Sequence, residues 1–247
     1  MAKGDVPFEI FKLNEQDEIF LNIFIYGKPG VGKTYLAATA EDCEEMLPIL
    51  LLDVDSGTLT IKDRSMDVTK IMKFSDIDRA LTYLENNNNV YKTVILDTFS
   101  EIQRLSLRAV MADVVRKKPD RDPDWPAQQD WGKSTEQLRN IVRRFRDLPM
   151  HVIITCHEKE EKEETGAVTV KPMLPGKLAD EIPSFFDIVG RLYTKTTKTG
   201  TDLTVTRLLR VQPDAKIIAK DRSDKLGVEL EDPRISDILD ALYGEVV

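Results

Sequence analysis

The fold is decided by one stretch of the sequence, Gly27-Lys28-Pro29-Gly30-Val31-Gly32-Lys33-Thr34. It fits the pattern G-x-x-x-x-G-K-[ST] at every defined position. Residues 19–26 before it form an apolar run that is typical of a strand buried on both faces, and residues 35–40 after it favour a helix. Glycines between a strand and a helix let the backbone curl around phosphate oxygens and point N–H groups at them. The stretch therefore predicts a phosphate-binding loop.

Two side chains of this loop carry the chemistry of the pattern. Lys33 is expected to reach the β- and γ-phosphates of a nucleoside triphosphate, and the Thr34 hydroxyl is expected to ligate Mg²⁺. We therefore expect ATP and Mg²⁺ as cofactors. The residues expected to bind the nucleotide are Gly27, Lys28, Pro29, Gly30, Val31, Gly32, Lys33, Thr34 and Tyr35.

Acidic residues follow two further apolar runs. One run ends in Asp97, which is expected to hold the magnesium ion through water at the end of a neighbouring strand. Asp97 could also cap the helix that follows, and the two roles are compatible. The other run ends in Asp53 and Asp55, which would face the same side of an extended strand. Asp55 is expected to orient the attacking water, and an Asp-Ser-Gly turn beginning at Asp55 is the alternative.

A histidine follows another buried strand, at residues 152–156. In a parallel sheet, His157 would lie at the same edge as the loop and the carboxylates, where α/β sheets bind ligands. A polar side chain there can sense the γ-phosphate. A solvated histidine at a strand end is the alternative.

Strands and helices alternate along most of the chain. This order is typical of a mostly parallel, twisted α/β sheet with helices on both faces. Residues 188–195 and 203–211 alternate in polarity around a turn, which predicts an antiparallel hairpin at the C-terminal edge of the sheet. We expect one domain over residues 19–247, preceded by a lead-in segment at residues 1–18.

The composition excludes several classes of protein. Of 247 residues, 41% are hydrophobic and 32% are charged, which predicts a folded core and excludes a disordered chain. We find no run of roughly 18 apolar residues and no signal-peptide pattern, and we therefore expect a soluble, cytoplasmic protein without membrane contact. Cys43, Cys156 and two histidines offer no zinc-binding spacing. The formal charge of −8 opposes nucleic-acid binding through overall charge but leaves a local basic surface open.

Four motifs together resemble the RecA-like core of P-loop ATPases: GKPGVGKT at 27–34, LLDVD at 51–55, VILD at 94–97 and VIITCH at 152–157. In particular, they resemble small phage-encoded ATP-binding proteins of the AAA type, which are related to phage single-strand-annealing recombinases with a RecA-type core. The resemblance extends over residues 19–229. It implies a P-loop NTPase fold, ATP hydrolysis and, for a phage-encoded protein, a place in the host cytoplasm.

The resemblance also implies roles for single residues. Asp55 stands where RecA-like proteins place a catalytic glutamate, and His157 stands where relatives often have glutamine. Lys220 and Arg222 resemble the K-x-R pair that reaches into the ATP site of the next subunit, which implies a homo-oligomer, either a ring or a filament. Such cations stabilise the charge on the transferred phosphoryl group, and a solvated charged turn is the alternative. The expected catalytic residues are thus Lys33, Asp55, Asp97, His157, Lys220 and Arg222, and the expected metal ligands are Thr34 and Asp97.

Relatives with this core contact DNA through two loops, which correspond here to residues 116–133 and 158–177. The first carries five cations and both tryptophans, Trp125 and Trp131, and this combination suits single-stranded DNA. Acidic residues in the first loop and a Glu-rich run in the second oppose DNA binding.

Two functions are therefore kept open. One is a magnesium-dependent, oligomeric ATPase that acts on single-stranded DNA in recombination, annealing or replication-linked repair. The other is a nucleotide-dependent switch or scaffold for a protein partner, with slow ATP hydrolysis and no DNA binding. A small-molecule kinase is a third and weaker candidate function, because the sequence shows no clear acceptor pocket or arginine-rich lid.

Overall fold

The computed structural model describes residues 20–162, 166–199 and 202–244. The lead-in segment expected at residues 1–18 lies outside them. The strands are β1 (Asn22–Gly27), β2 (Ile49–Asp53), β3 (Asp67–Lys70), β4 (Thr93–Asp97), β5 (His151–Lys162), β6 (Val168–Pro172), β7 (Ile188–Thr199), β8 (Asp202–Arg210), β9 (Lys220–Asp221) and β10 (Glu229–Glu231). The α-helices are α1 (Lys33–Ala38), α2 (Phe74–Asn86), α3 (Phe99–Lys117), α4 (Gln128–Arg146), α5 (Leu178–Phe185) and α6 (Ile235–Tyr243).

Eight of these strands follow one another across a single sheet in the order β10-β8-β7-β1-β5-β4-β2-β3. From β3 to β7 every neighbouring pair is parallel, and β8 and β10 continue the sheet with antiparallel pairs. The expected mostly parallel sheet flanked by helices, with an antiparallel C-terminal edge, is confirmed. Because β5 lies between β1 and β4, residues that are far apart in the chain meet at the carboxyl end of the sheet.

Two apolar cores pack on opposite faces of the sheet. Strand β1 shows why, because successive side chains of a strand point to opposite faces. Phe24 and Tyr26 belong to one core, and Ile23 and Ile25 belong to the other. Helices α2, α3, α4 and α5 cover the first face, whereas α1 and α6 cover the second. A strand buried on both faces needs the continuous apolar run that the sequence shows.

Two segments that we expected to be loops are regular structure in about half of their residues. Of residues 116–133, only 118–127 connect α3 to α4, so Trp131 and Lys133 lie on α4. Half of residues 158–177 belong to β5 and β6, which pair antiparallel from Glu158↔Pro172 to Lys162↔Val168. The turn-forming pair Thr165-Gly166 predicts a hairpin tip between these strands, but a run of Glu and Lys shows no hydrophobic alternation and does not predict the strands themselves.

One helix was not expected from the sequence. Helix α5 contains Pro183, a residue that normally marks the end of a helix, but it buries Leu178, Ile182 and Phe185 against the core. Burial of this apolar face outweighs the unfavourable proline. Among the described residues, no helix has both the length and the apolar character that crossing a membrane requires.

Candidate active site

The phosphate loop joins the end of β1 to the first turn of α1, as the sequence predicts. Gly32 directly precedes the helix with a φ of 105°, a conformation that favours glycine, and its carbonyl accepts the Leu36 N–H at 2.9 Å. Gly27 is constrained by close packing, because a Cβ there would lie 2.2 Å from the Leu192 carbonyl oxygen. Each of these glycines is therefore required by the path of the loop.

Lys33 is buried within this loop. Its ammonium donates hydrogen bonds to the Gly27 carbonyl at 3.0 Å and to the Lys28 carbonyl at 2.9 Å. Burial lowers the pKa of Lys33 below its usual 10.5, and the neighbouring Asp97 carboxylate opposes this shift. The loop thus holds the cation against the backbone that is expected to surround the phosphates.

Asp97 is buried at the end of β4 and accepts hydrogen bonds from two hydroxyls. Thr34 Oγ1, on α1, donates to Asp97 Oδ2 at 2.7 Å, and Thr155 Oγ1, on β5, donates to Asp97 Oδ1. Gly57 packs over the first pair, because a Cβ there would lie 3.6 Å from Asp97 Oδ2. Asp97 does not cap the next helix, since the N-cap of α3 is Thr98.

The oxygen atoms at this point suit a magnesium ion. Mg²⁺ prefers hydroxyl, carboxylate and phosphate oxygens, and proteins usually supply only one or two carboxylates to it. Thr34 and Asp97 provide such a pair beside the phosphate loop. The residues present therefore fit a magnesium–nucleotide complex.

His157 lies between Lys33 and Asp55. Its Nδ1 is 3.4 Å from Lys33 Nζ, and its Nε2 is 3.8 Å from Asp55 Oδ2. Burial, together with the Lys33 charge, lowers the pKa of His157 below 6.5, while Asp55 acts in the opposite direction. At neutral pH the ring is therefore uncharged, and its proton belongs on Nε2 so that Nδ1 can accept from Lys33. The structure thus brings three predicted catalytic residues together around one imidazole.

Asp53 and Asp55 differ sharply in environment. Strand β2 ends at Asp53, so the two side chains do not continue on one face of an extended strand, and that expectation is wrong. Asp53 is 3% exposed, whereas the Asp55 side chain is 46% exposed beside His157. The accessible Asp55 is therefore the one placed to meet a water molecule from solvent.

Lys220 and Arg222 do not join this site within the chain. The Lys220 ammonium donates to the carbonyls of Pro183 and Phe186, and Arg222 Nη1 lies 2.6 Å from Asp187 Oδ1. The Asp187 carboxylate accepts the backbone N–H of Asn22, which is the first residue of β1. The phosphate loop begins at Gly27, the last residue of the same strand. The pair thus lies at the amino end of the strand, opposite the nucleotide site.

Sequence reasoning missed Thr155 and Ser100 as parts of the site. Thr155 binds Asp97, and Ser100 Oγ accepts the His157 backbone N–H at 2.9 Å. The available signal for Thr155 is its place two residues before His157 at the end of an apolar strand. Using that signal requires knowing that β5 lies next to β4, which sequence order does not give.

The two segments expected to contact DNA meet at one groove. This groove has a volume of about 600 Å³ and lies between α3, α4 and the base of the β5–β6 hairpin. Trp131 comes from the first segment and is 38% exposed. Lys159, Met173 and Pro175 come from the second. Trp125 is 76% exposed on the loop that leads to α4.

Most cations of these two segments are already paired with carboxylates. The pairs are Arg116 and Lys117 with Asp113, Arg121 with Asp130, Lys159 with Glu161, and Lys171 with Asp180 and Glu161. Lys118, Lys133, Lys162 and Lys177 form no ion pair within the described part of the chain. The positive charge available to a ligand is therefore concentrated on these four lysines.

Residues 19–223 match a protein family described as AAA domain. The chain belongs to this family. The AAA domain, with its complete phosphate loop, is an ATP-hydrolysing P-loop enzyme. The earlier expectation of a P-loop ATPase is thereby confirmed. No curated protein matches the sequence.

Three solved structures with a similar course of the chain have low sequence identity to it. An ATPase of the type III secretion system of pathogenic bacteria is 17% identical, with a TM-score of 0.42, over 70% of this chain and 51% of its own. EscN from enteropathogenic E. coli is 18% identical, with a TM-score of 0.43, over 70% of this chain and 43% of the EscN chain. The RadB recombinase is 13% identical, with a TM-score of 0.42, over 77% of this chain and 79% of the RadB chain. The AAA domain thus spans about half the length of the two secretion ATPases.

Proposed function

We propose that this AAA domain is a magnesium-dependent ATPase that acts on single-stranded DNA as a homo-oligomer, in recombination, annealing or replication-linked repair. The groove beside the nucleotide site carries the proposal. It gathers an exposed tryptophan and a lysine from two segments that are distant in the chain. Rings for stacking and cations for phosphates are what a single-strand groove needs. We assign residues 19–247 to one domain and place the protein in the cytoplasm.

The groove and the nucleotide site share strand β5. His157 lies at the nucleotide site, and Lys159, two residues further along the strand, lines the groove. The His157 carbonyl accepts the N–H of Met173, another residue of the groove, at 2.8 Å. A shift of His157 on nucleotide binding would therefore move the groove wall directly.

The residues of the nucleotide site have separate tasks. Lys33 neutralises phosphate charge, and Thr34 and Asp97 hold the metal, which when bound stabilises the charge on the phosphates. Asp55 orients the attacking water from its exposed position. His157 keeps Lys33 and Asp55 in place through its two ring nitrogens.

Assembly would complete the site. Lys220 and Arg222 lie away from the nucleotide site of their own chain. Arg222 is 60% exposed in its side chain and is therefore accessible to a neighbouring subunit. A guanidinium from the next subunit would stabilise phosphoryl transfer, in which case hydrolysis depends on the ring or filament.

The paired cations favour a second candidate, a switch or scaffold for a protein partner. With an overall charge of −8 and only four unpaired lysines among the described residues of the two segments, the field around the groove is weak for a polyanion. The same groove could then hold a peptide, and hydrolysis would not respond to DNA.

One experiment separates the two candidates. ATP hydrolysis and oligonucleotide binding are measured for the wild type, Lys33→Ala, Trp131→Ala and, as a surface control, Lys62→Ala. We expect single-stranded DNA to stimulate the wild type and the control, Lys33→Ala to lose hydrolysis, and Trp131→Ala to hydrolyse ATP without stimulation. Wild-type hydrolysis with neither binding nor stimulation by DNA would overturn the single-strand proposal and favour the switch.

A further inference from the structure

Asp53 is a buried carboxylate to which no group of the described residues donates a hydrogen bond. It ends strand β2 with 3% of its surface exposed. Within the described residues, neither Oδ1 nor Oδ2 accepts a hydrogen bond from a protein group. Leaving an ionisable group buried and unpaired is unfavourable, so such a group needs a partner that arrives from outside the chain.

The direction of the Asp53 side chain follows from the register of the sheet. Asp53 lies opposite Asp97 on the neighbouring parallel strand β4. On β2, Ile49 and Leu51 belong to the core under α1, so Asp53, two residues further, faces the same side. Asp97 also faces α1, because it accepts the Thr34 hydroxyl. The two carboxylates therefore lie side by side next to Thr34.

The two carboxylates differ in how they are satisfied. Both oxygens of Asp97 accept hydrogen bonds from threonine hydroxyls, whereas neither oxygen of Asp53 has a partner in the part of the chain that the structure describes. The buried cation of the site, Lys33, donates to two loop carbonyls and contacts His157. Among the described side chains of this buried cluster, one cation thus faces two carboxylates. A divalent cation would compensate the excess negative charge.

We propose that Asp53 is a second carboxylate of the magnesium site, holding water molecules of the metal's hydration shell beside Asp97. This inference rests on the magnesium dependence in the proposed function but not on DNA binding. Mg²⁺ keeps several of its waters in proteins, and these waters need acceptors. Asp53 supplies two free acceptor oxygens at the place where Thr34 and Asp97 fit the ion. It acts as a positioning residue for the metal.

Mn²⁺ binding tests the proposal without reference to activity. Free Mn²⁺ is titrated by electron paramagnetic resonance in the presence of the protein and a non-hydrolysable ATP analogue. Outer-shell partners of a metal typically change its affinity by about 10–100-fold. We therefore expect Asp53→Asn to weaken Mn²⁺ binding at least tenfold. Asp63→Asn, which removes the same charge at an exposed position, is expected to leave it unchanged.

Thermal unfolding without metal gives a second test, in which the variant is expected to gain stability although it loses affinity for the metal. Because the carboxylate is unpaired without metal, we expect Asp53→Asn to melt at a higher temperature than the wild type. Unchanged Mn²⁺ affinity would overturn the proposal. So would a lower melting temperature, or failure to fold, since either would mean that the carboxylate is already stabilised by the chain. If the wild type itself took up no Mn²⁺ with nucleotide, the magnesium dependence of the proposed function would fail instead.

Discussion

Thr34 Oγ1 and Asp97 Oδ2 are joined by a 2.7 Å hydrogen bond. The bond connects the first turn of α1 to the end of β4, so the hydroxyl and carboxylate expected to hold magnesium are in contact without nucleotide. This contact fixes the distance between helix and sheet at the point where the metal fits. The two ligands are therefore preorganised by the fold.

Replacing Thr34 by valine keeps the shape of the side chain and removes the hydroxyl. We expect a loss of about 1–3 kcal/mol in the free energy of unfolding, because Asp97 loses a buried donor. Hydrolysis should fall by about 100-fold, since a metal ligand is lost as well. Denaturant unfolding and steady-state ATPase assays measure both effects. Thr34→Ser, which keeps the oxygen, serves as the control, and an equal loss in both variants would contradict this role.

The lowered pKa of His157 predicts a pH-dependent stability. Because the pKa is below 6.5 in the folded protein, the unfolded chain binds this proton more readily. His157 therefore causes stability to decrease as the pH falls from about 6.5 through the folded pKa, and has no such effect above 6.5. His157→Gln should remove this part of the decrease. Melting temperatures of both proteins between pH 4.5 and 8 test the prediction, and parallel curves would refute it.

The unpaired lysines should dominate the salt dependence of DNA binding. For single strands, the slope of log affinity against log salt is about −0.7 for each neutralised phosphate. We expect Lys133→Ala to reduce the slope by about 0.7. Lys117→Ala should leave it nearly unchanged, because Lys117 is paired with Asp113. Fluorescence anisotropy at several salt concentrations provides the slopes, and equal effects of the two variants would argue against a special role of the unpaired lysines.

Mixing two inactive variants tests catalysis between subunits. Arg222→Ala removes the exposed guanidinium, and Lys33→Ala disables the nucleotide site of its own chain. If Arg222 acts on the neighbour, mixed assemblies contain some interfaces with both groups intact, and hydrolysis should partly recover. Arg79→Ala, which removes another exposed arginine, should retain full activity alone. No recovery at any ratio, with mixed assembly shown by cross-linking, would exclude action in trans.

The parts of the site that are contiguous in sequence were predictable. The phosphate loop is one uninterrupted motif, and Asp97 ends an apolar strand, so local pattern is sufficient for both. Thr155 and Asp53 were not recognised because their significance depends on which strands are neighbours. Strand order is a property of the whole sheet and leaves no local mark in the sequence.

The polar part of strand β5 and the surroundings of Trp131 could also not be predicted from the sequence. The Glu–Lys run after His157 continues β5, because pairing with β6 satisfies its backbone although its side chains show no hydrophobic alternation. Trp131 lies on α4, as the helical pattern from Gln128 onwards predicts, but the sequence does not show that it forms a groove with residues of the β5–β6 hairpin. In both cases contacts between distant segments determine the structure.

The placement of Arg222 constrains how subunits can be arranged. Arg222 lies near Asn22 at one end of β1, and the phosphate loop begins at the other end. At about 3.3 Å per residue, the two lie roughly 17 Å apart along the strand. A contact that brings the Arg222 of one subunit to the phosphate loop of the next therefore pairs two unlike positions about one strand length apart. Where this contact repeats head-to-tail, the assembly has a direction and two unlike ends, whereas a two-fold symmetric dimer would have to bury both positions in one interface, with the two β1 strands antiparallel.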